Sequence, residues 1–263
     1  GKHVLCEKPI AMNYEEAVAM QKAADDNNRI LNIGVVNRFN TAVNKIKEII
    51  DTKGLGNLYH IYCSFRAHRS IPGLGGPFTN KSMAGGGVLI DWGIHSLDQI
   101  LYCIGDPELK TVSAATHSVL GKDMEGYDFI NMWAGPPDYN GTYDVEDFVT
   151  GLIRTGGPTI SFNGAWAQNI GEQGMFIEYL GDKGGIRLES GNIKIWSSKN
   201  GVLYETIPSY QTKDMFYEEM DAFIKSAQEG KKIRNNIDHV IVSSLLMDKI
   251  YESAEKKKEV RIN

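Results

Sequence analysis

The sequence has no apolar run near the ~18 residues that a membrane-spanning helix needs. It has no basic stripe: 28 Lys and Arg stand against 33 Asp and Glu, for a net charge of −5. That balance argues against a nucleic-acid partner. The "KKK" at 256–258 closes a predicted helix, where lysines suit the dipole, and reads as a solvated terminus. There are only three cysteines, Cys6, Cys63 and Cys103. They are odd in number and far apart, which excludes a disulfide framework or a thiolate metal site and points to buried thiols in a reducing cytoplasm. There is no initiator Met and no signal-peptide pattern, and a strand opens almost at once. The expectation is a chain entered in the middle of a domain.

What is present is an ordinary globular mixture, 42% hydrophobic and 23% charged. His3–Cys6 is a short apolar strand. Asn13 with Glu16 three residues on forms a capping-box pattern and starts a helix over 14–26. "RILNIGVV" (29–36) is a buried strand of parallel type, so the opening is a βαβ unit. A further helix covers 40–53. From residue 57 the character changes to alternating strands: 57–68, then 111–119, 147–155, 158–168, 174–180, 185–189, 193–198 and 202–207. Helices over 212–229 and 236–256 close the chain. The fold class is an α/β remnant plus α+β: the last βαβ piece of a Rossmann layer, then a large, mostly antiparallel open sheet with helices on one face. Phe162, Trp166 and Phe176 are expected on the open face, too apolar to stay wet, which predicts a homodimer or homotetramer through that face. Residues 121–146 are expected to form a long loop.

"GGGVLIDWGIHSLDQILYCIG" (85–105) places three glycines before a helix bearing Asp91, His95 and Asp98. At 100° per residue, His95 falls about 40° to one side of Asp91 and Asp98 about 20° to the other. The three share a polar stripe beside an apolar one of Ile90, Ile94, Leu97, Leu101 and Ile104. The bare backbone at the helix start suits negative charge: Asp91, a phosphate or a hydroxylated ligand. Three readings stand on these residues alone: a surface Asp–His pair, a metal site, or a catalytic stripe.

"GKHVLCEKPIA" (1–11) and the glycine-led segment stand in order, with "NIGVVNRFN" (32–40) between them and "DHVIVSSLLMDKIYESAEKKKEVRI" (238–262) at the end. Together they closely resemble the glucose–fructose oxidoreductase / inositol dehydrogenase (Gfo/Idh/MocA) family of NAD(P)-dependent oxidoreductases. The resemblance implies a remnant of a dinucleotide-binding Rossmann domain over 1–37 and a substrate-binding and oligomerisation domain over 38–263. It implies hydride transfer on a hydroxyl or carbonyl of a sugar or cyclitol, with NAD or NADP as cofactor. It assigns Lys8, Asp91 and His95 to catalysis, Arg38 and Asp98 to substrate binding, and Glu7, Lys8 and Pro9 to the cofactor. It assigns no metal ligand.

Physical chemistry agrees with these roles. Histidine titrates near neutrality and can take a hydroxyl proton. An Asp one turn away can orient it, and a lysine can stabilise negative charge on the reacting oxygen. His3, His60, His68, His117 and His239 lack such company and read as structural, with His68 a weak candidate for a substrate loop formed by 68–87. The sequence departs from the family in one respect: it holds no G-x-G-x-x-G turn for the pyrophosphate, and "GLGG" (73–76) has Phe78 where the last glycine belongs. These 263 residues alone are therefore expected to be inactive. The rival reading is a non-catalytic binding or assembly module derived from the same C-terminal domain.

Overall fold

The computed structural model describes residues 1–172 and 174–262. The chain runs β1 (Val4–Glu7), α1 (Tyr14–Asp26), β2 (Leu31–Gly34), α2 (Thr41–Asp51), β3 (Leu58–Arg66), α3 (Lys81–Ala84) and α4 (Ile94–Ile104). It continues β4 (Leu109–His117), β5 (Phe148–Thr155), β6 (Thr159–Ala165), β7 (Gly174–Gly181), β8 (Gly184–Glu189), β9 (Asn192–Lys199), β10 (Val202–Thr206), α5 (Met215–Glu229), α6 (Ile237–Lys256) and β11 (Val260–Arg261). Two sheets result among the described residues: a parallel pair β1-β2, and a nine-stranded sheet in the order β10-β9-β8-β7-β3-β6-β5-β4-β11. This is the expected Rossmann-type piece followed by a mostly antiparallel sheet. One pairing in the large sheet, β3 with β6, is parallel.

The chain divides into two compact units, and the division does not follow a single cut along the sequence. The first comprises Gly1–Tyr59, Leu97–Pro107 and Tyr179–Asp248. In it β1 and β2 pair from Val4↔Leu31 to Glu7↔Gly34. Asn13 caps α1 as its pattern requires: its Oδ1 accepts from the Glu16 N–H at 2.9 Å, and the Glu16 carboxylate accepts from the Met12 N–H at 3.1 Å. Ala17 of this helix packs on Ile10, Leu31, Ile33, Val35, Ile237 and Val240. Asn235 and Asn236 cover the free side of β2, their amides donating to the Ile33 and Leu31 carbonyls at 2.9 and 3.1 Å. A buried edge of unpaired carbonyls is thereby avoided.

The second unit comprises His60–Ser96, Glu108–Glu178 and Lys249 onward. Strand alternation gives it a buried face of Ile61, Cys63, Phe65, Val149, Ile153, Ile160 and Phe162. The other face carries His60, Tyr62, Thr150, Ser161 and Asn163. His60 is structural there, its ring nitrogens 2.7 and 3.1 Å from the Thr159 and Ser161 hydroxyls. Phe162 and Trp166 were expected on the open face; both are instead 0% exposed. The reason is register and strand end. Phe162 alternates with outward Ser161 and Asn163, and β6 stops at Ala165, after which the Trp166 N–H turns to the Asp147 carbonyl at 2.9 Å. Phe176 is half-buried, so the open face is mixed polar and aromatic.

The thiols also follow burial. Cys63 and Cys103 are buried, and burial pushes each up to about 12; Cys6 is only half-buried. Among the described residues no helix is long and apolar enough to cross a membrane.

A buried carboxyl in the first unit gives the fold a pH dependence. Glu219 of α5 is 6% exposed. Burial first, and the nearby Glu7 carboxylate second, push it up to about 7, against a hydrogen bond from the Asn235 amide. The Asn235 amide nitrogen donates to the Glu219 carboxylate at 3.4 Å. A carboxyl raised on folding is tolerated fully below its ordinary value near 4.5 and becomes a burden as pH rises through about 7. Urea unfolding should show stability falling by up to about 3 kcal/mol across that window. Glu219→Gln should flatten the slope. An unchanged pH profile in the variant would assign the dependence elsewhere.

Candidate active site

Each glycine of the triplet has its own physical requirement. Gly85 closes α3 in the left-handed region, at φ +81°. A Cβ on Gly86 would run into the Tyr251 hydroxyl, and one on Gly87 into the Glu146 carbonyl. Glycine thus lets the chain enter the next turn in contact with both neighbours.

The expected anion site at this helix start is filled from within the protein. The Glu146 carboxylate accepts from the Gly87 and Leu89 N–H groups, at 3.0 Å each, and from the Tyr251 hydroxyl at 2.9 Å. Burial raises the Glu146 carboxyl above its usual range, and the two backbone donors and Tyr251 oppose that rise. A phosphate or hydroxylated ligand therefore does not find free N–H groups at Gly87 and Leu89.

The helix does not begin as ideal α. Leu89–Gly93 forms a π turn, which winds more slowly than 100° per residue, before α4 proper starts at Ile94. The stripe geometry reckoned from Asp91 does not hold across it. Asp91 lies in this wide turn and accepts a hydrogen bond from the Trp166 Nε1–H at 3.2 Å. His95 follows on the first turn of α4, and both side chains are half-buried. The apolar side of α4 is broader than expected, with Ile100 and Cys103 buried beside Leu97 and Leu101.

Asp98 and Arg38, expected to bind substrate, are paired with each other. Both side chains are 1% exposed and face each other. Arg38, from the 3₁₀ turn Val36–Phe39, donates to Asp98 Oδ2 through Nε at 2.9 Å and to Oδ1 through Nη2 at 2.8 Å. Its Nη1 and Nη2 also donate to the Arg234 and His239 carbonyls, and Ser243 donates to Asp98 Oδ1 at 2.9 Å. Burial works against the guanidinium charge, but Asp98 outweighs it and the net shift of Arg38 is upward. In this arrangement the pair ties the turn after β2 to α4 and α6 within the first unit.

Glu7 ends β1 opposite Gly34 and is exposed, while Lys8 and Pro9, joined by a cis peptide, are half-buried. The carboxyl end of a parallel strand is where open α/β sheets place ligands. These residues fit the nicotinamide end of a dinucleotide. The sequence holds no G-x-G-x-x-G turn for its pyrophosphate, and the N–H groups at Gly87 and Leu89 are taken by Glu146. Among the described residues no group of three or more His, Cys, Asp or Glu side chains gathers as metal ligands do.

Two family models match the chain. One, an oxidoreductase family with an NAD-binding Rossmann fold, covers residues 1–35; the other, the GFO/IDH/MocA C-terminal domain, covers 43–187. The chain belongs to the GFO/IDH/MocA family. D-glucoside 3-dehydrogenase of Escherichia coli (strain K12) is 31% identical over 265 residues, spanning 100% of this chain and 73% of that protein. Among solved structures, a levoglucosan dehydrogenase in complex with NADH and L-sorbose superposes with a TM-score of 0.82 at 23% identity, covering 100% of this chain and 74% of its own. An aldose-aldose oxidoreductase from Caulobacter crescentus complexed with glycerol gives 0.80 at 22% identity, covering 99% and 72%. These likenesses to solved structures carry the fold alone.

Glu146 and Tyr251 were not singled out in the sequence, and Trp166 was expected only as an open-face residue. Their partners lie at separations of 59, 75 and 105 residues, beyond any local pattern. Replacing Glu146 by Ala leaves two N–H groups and a hydroxyl buried without an acceptor, and should lower the stability read from urea midpoints by roughly 2–5 kcal/mol. Asp98→Asn leaves the Arg38 charge unpaired and should lower it by about 3–5 kcal/mol. The double change Arg38→Met with Asp98→Leu should recover part of that loss. A midpoint unmoved in Asp98→Asn would show that the pair does not hold the first unit together.

Proposed function

We propose that the protein is an NAD(P)-dependent oxidoreductase that interconverts a hydroxyl and a carbonyl on a sugar or cyclitol. The observation that carries this reading is Asp91, on a π turn held by Glu146 at one end and by Trp166 at its carboxylate, one turn before His95 in a GFO/IDH/MocA chain. The naming of a similar protein as a D-glucoside 3-dehydrogenase supports the substrate class.

In this mechanism His95 takes the proton from the substrate hydroxyl. Asp91 supports the imidazole in its charged form, and Trp166 keeps the Asp91 carboxylate from swinging away. Lys8, at the carboxyl end of β1, holds the reacting oxygen and stabilises negative charge on it. A nicotinamide held there would supply the hydride acceptor for the carbinol carbon. Glu7, Lys8 and Pro9 serve its nicotinamide end. Arg38 and Asp98 act as frame: buried and paired, they fix where α4 begins its run through the first unit. Residues 1–37 are taken as the Rossmann-type piece and 38–263 as the domain for substrate and assembly.

We further assign the protein to the cytoplasm, since three free thiols suit a reducing compartment. A homodimer or homotetramer through the open sheet face suits Tyr62, Phe148 and Phe176 set among hydroxyl and amide side chains, a composition typical of interfaces.

The test uses the full gene product with NAD and NADP and a panel of sugars and cyclitols. His95→Ala should lower kcat by about 10²–10⁴, the scale of a lost general base, with the urea midpoint little changed. Normal turnover in that variant would remove His95 from the mechanism, and no turnover of any panel member by the parent protein would overturn the substrate class.

A further inference from the structure

The two parallel strands end beside a pair of acids. Glu7 closes β1 in register with Gly34 of β2. Its side chain folds back over that glycine so closely that a Cβ there would stand 2.8 Å from Glu7 Oε2. One residue earlier on β2, the Ile33 carbonyl accepts from the Asn235 amide nitrogen at 2.9 Å, and the same nitrogen reaches Glu219 Oε1 at 3.4 Å. Glu219 comes from α5 and is buried, while Glu7 is exposed. All of these residues belong to the first unit.

The surroundings offer Glu219 no counter-charge. Burial, Glu7 and the Asn235 amide are the influences on it, with no cation among them. On the turn Val36–Phe39, against which α5 packs, the charged side chain is Arg38, and Asp98 occupies it. On α5 itself Glu218 pairs with Lys213, and Asp221 with Lys225. Two carboxylates so placed repel each other, and the inner one keeps its proton up to about pH 7. Glutamine at 219 would take the Asn235 contact without that repulsion. An ionisable group standing where a neutral one would be more stable points to a use for its charge.

The place of the pair supplies the use. Ligands of open α/β sheets lie at the carboxyl ends of the strands, and Glu7 adjoins Lys8 and Pro9 at the end given above to the nicotinamide. That ring carries a positive charge when oxidised and none when reduced. A neighbouring carboxylate attracts the first form and not the second.

We infer that Glu7 and Glu219 read the charge of the cofactor: the oxidised ring, on binding, draws the proton off Glu219 into solvent, and the reduced ring leaves it in place. The pair thereby tilts the site towards the oxidised cofactor, more strongly above neutrality than below it. This rests on the oxidoreductase reading above and adds to it a proton released on binding, before any hydride moves.

Calorimetry on the full gene product measures that proton. Binding heats are taken in two buffers of different ionisation heat, for the oxidised and reduced forms of whichever cofactor, NAD or NADP, the protein binds. Near neutral pH the oxidised form should release about 0.3–0.5 proton more than the reduced form, and near pH ~9 the difference should vanish. Affinity for the oxidised form relative to the reduced form should rise about five- to tenfold between about pH 5.5 and 8.5. In Glu219→Gln both effects should be lost. Glu7→Gln changes an exposed side chain and removes part of what holds the proton on Glu219, so the release near neutral pH should shrink.

Equal proton counts for the two forms in the parent, or a difference that persists in Glu219→Gln, overturns the inference and leaves the oxidoreductase reading standing. Release unchanged in Glu7→Gln overturns the pairing. If the parent protein binds neither form of either cofactor, the oxidoreductase reading fails and the role of the pair with it.

Discussion

The first unit depends on one buried charge pair. Arg38 and Asp98 are brought together from a 3₁₀ turn and from α4, and Ser243 of α6 completes the set. Two charges removed from water are tolerated only when their hydrogen-bonding capacity is nearly filled, and here backbone carbonyls at Arg234 and His239 accept from the same guanidinium. That requirement is directional. An apolar core would admit small sliding of α4 against α6, whereas a bidentate fork with carbonyl partners admits one arrangement. The pair therefore fixes how the first-unit part of α4 meets α6 and the turn after β2.

The second unit meets the same problem, how to seat an anion away from water, with a different device. Glu146 is held by backbone N–H groups at a helix start and by a tyrosine hydroxyl, with no cation among these partners. Partial charge at the helix terminus does the work that a guanidinium does in the first unit. The glycines are the steric condition for it, since side chains at Gly86 or Gly87 would push Tyr251 and Glu146 off the turn.

What was legible in the sequence divides along the range of the interactions. α1 begins and ends where its Asn13–Glu16 pattern places it, and the strands β4 to β10 fall within a few residues of the alternating stretches, because caps, turns and period-2 patterning act over short spans. The family was legible for the same reason: its motifs are contiguous. The π turn at Leu89–Gly93 was not, since its sequence carries the same apolar spacing as a regular helix. Phe162 and Trp166 were placed on the wrong side because alternation tells which residues share a face and not which face is covered, and the pairing of Arg38 with Asp98 was not foreseen because a charged residue's partner is invisible until the chain folds. Glu146 left no local mark at all.

The cysteines carry a consequence of their placing. Cys63 lies in the second unit and Cys103 in the first, each buried and each held as the unreactive thiol by burial. Alkylation requires the thiolate and access for the reagent. Neither sulfur meets those conditions until its own surroundings open. Followed peptide by peptide in a mass spectrometer, the labelling rates at these two positions report the breathing of the two units separately. The half-buried Cys6 on β1 supplies a third, faster channel at the strand pair. The unmodified chain thus carries its own reporters of which part loosens first.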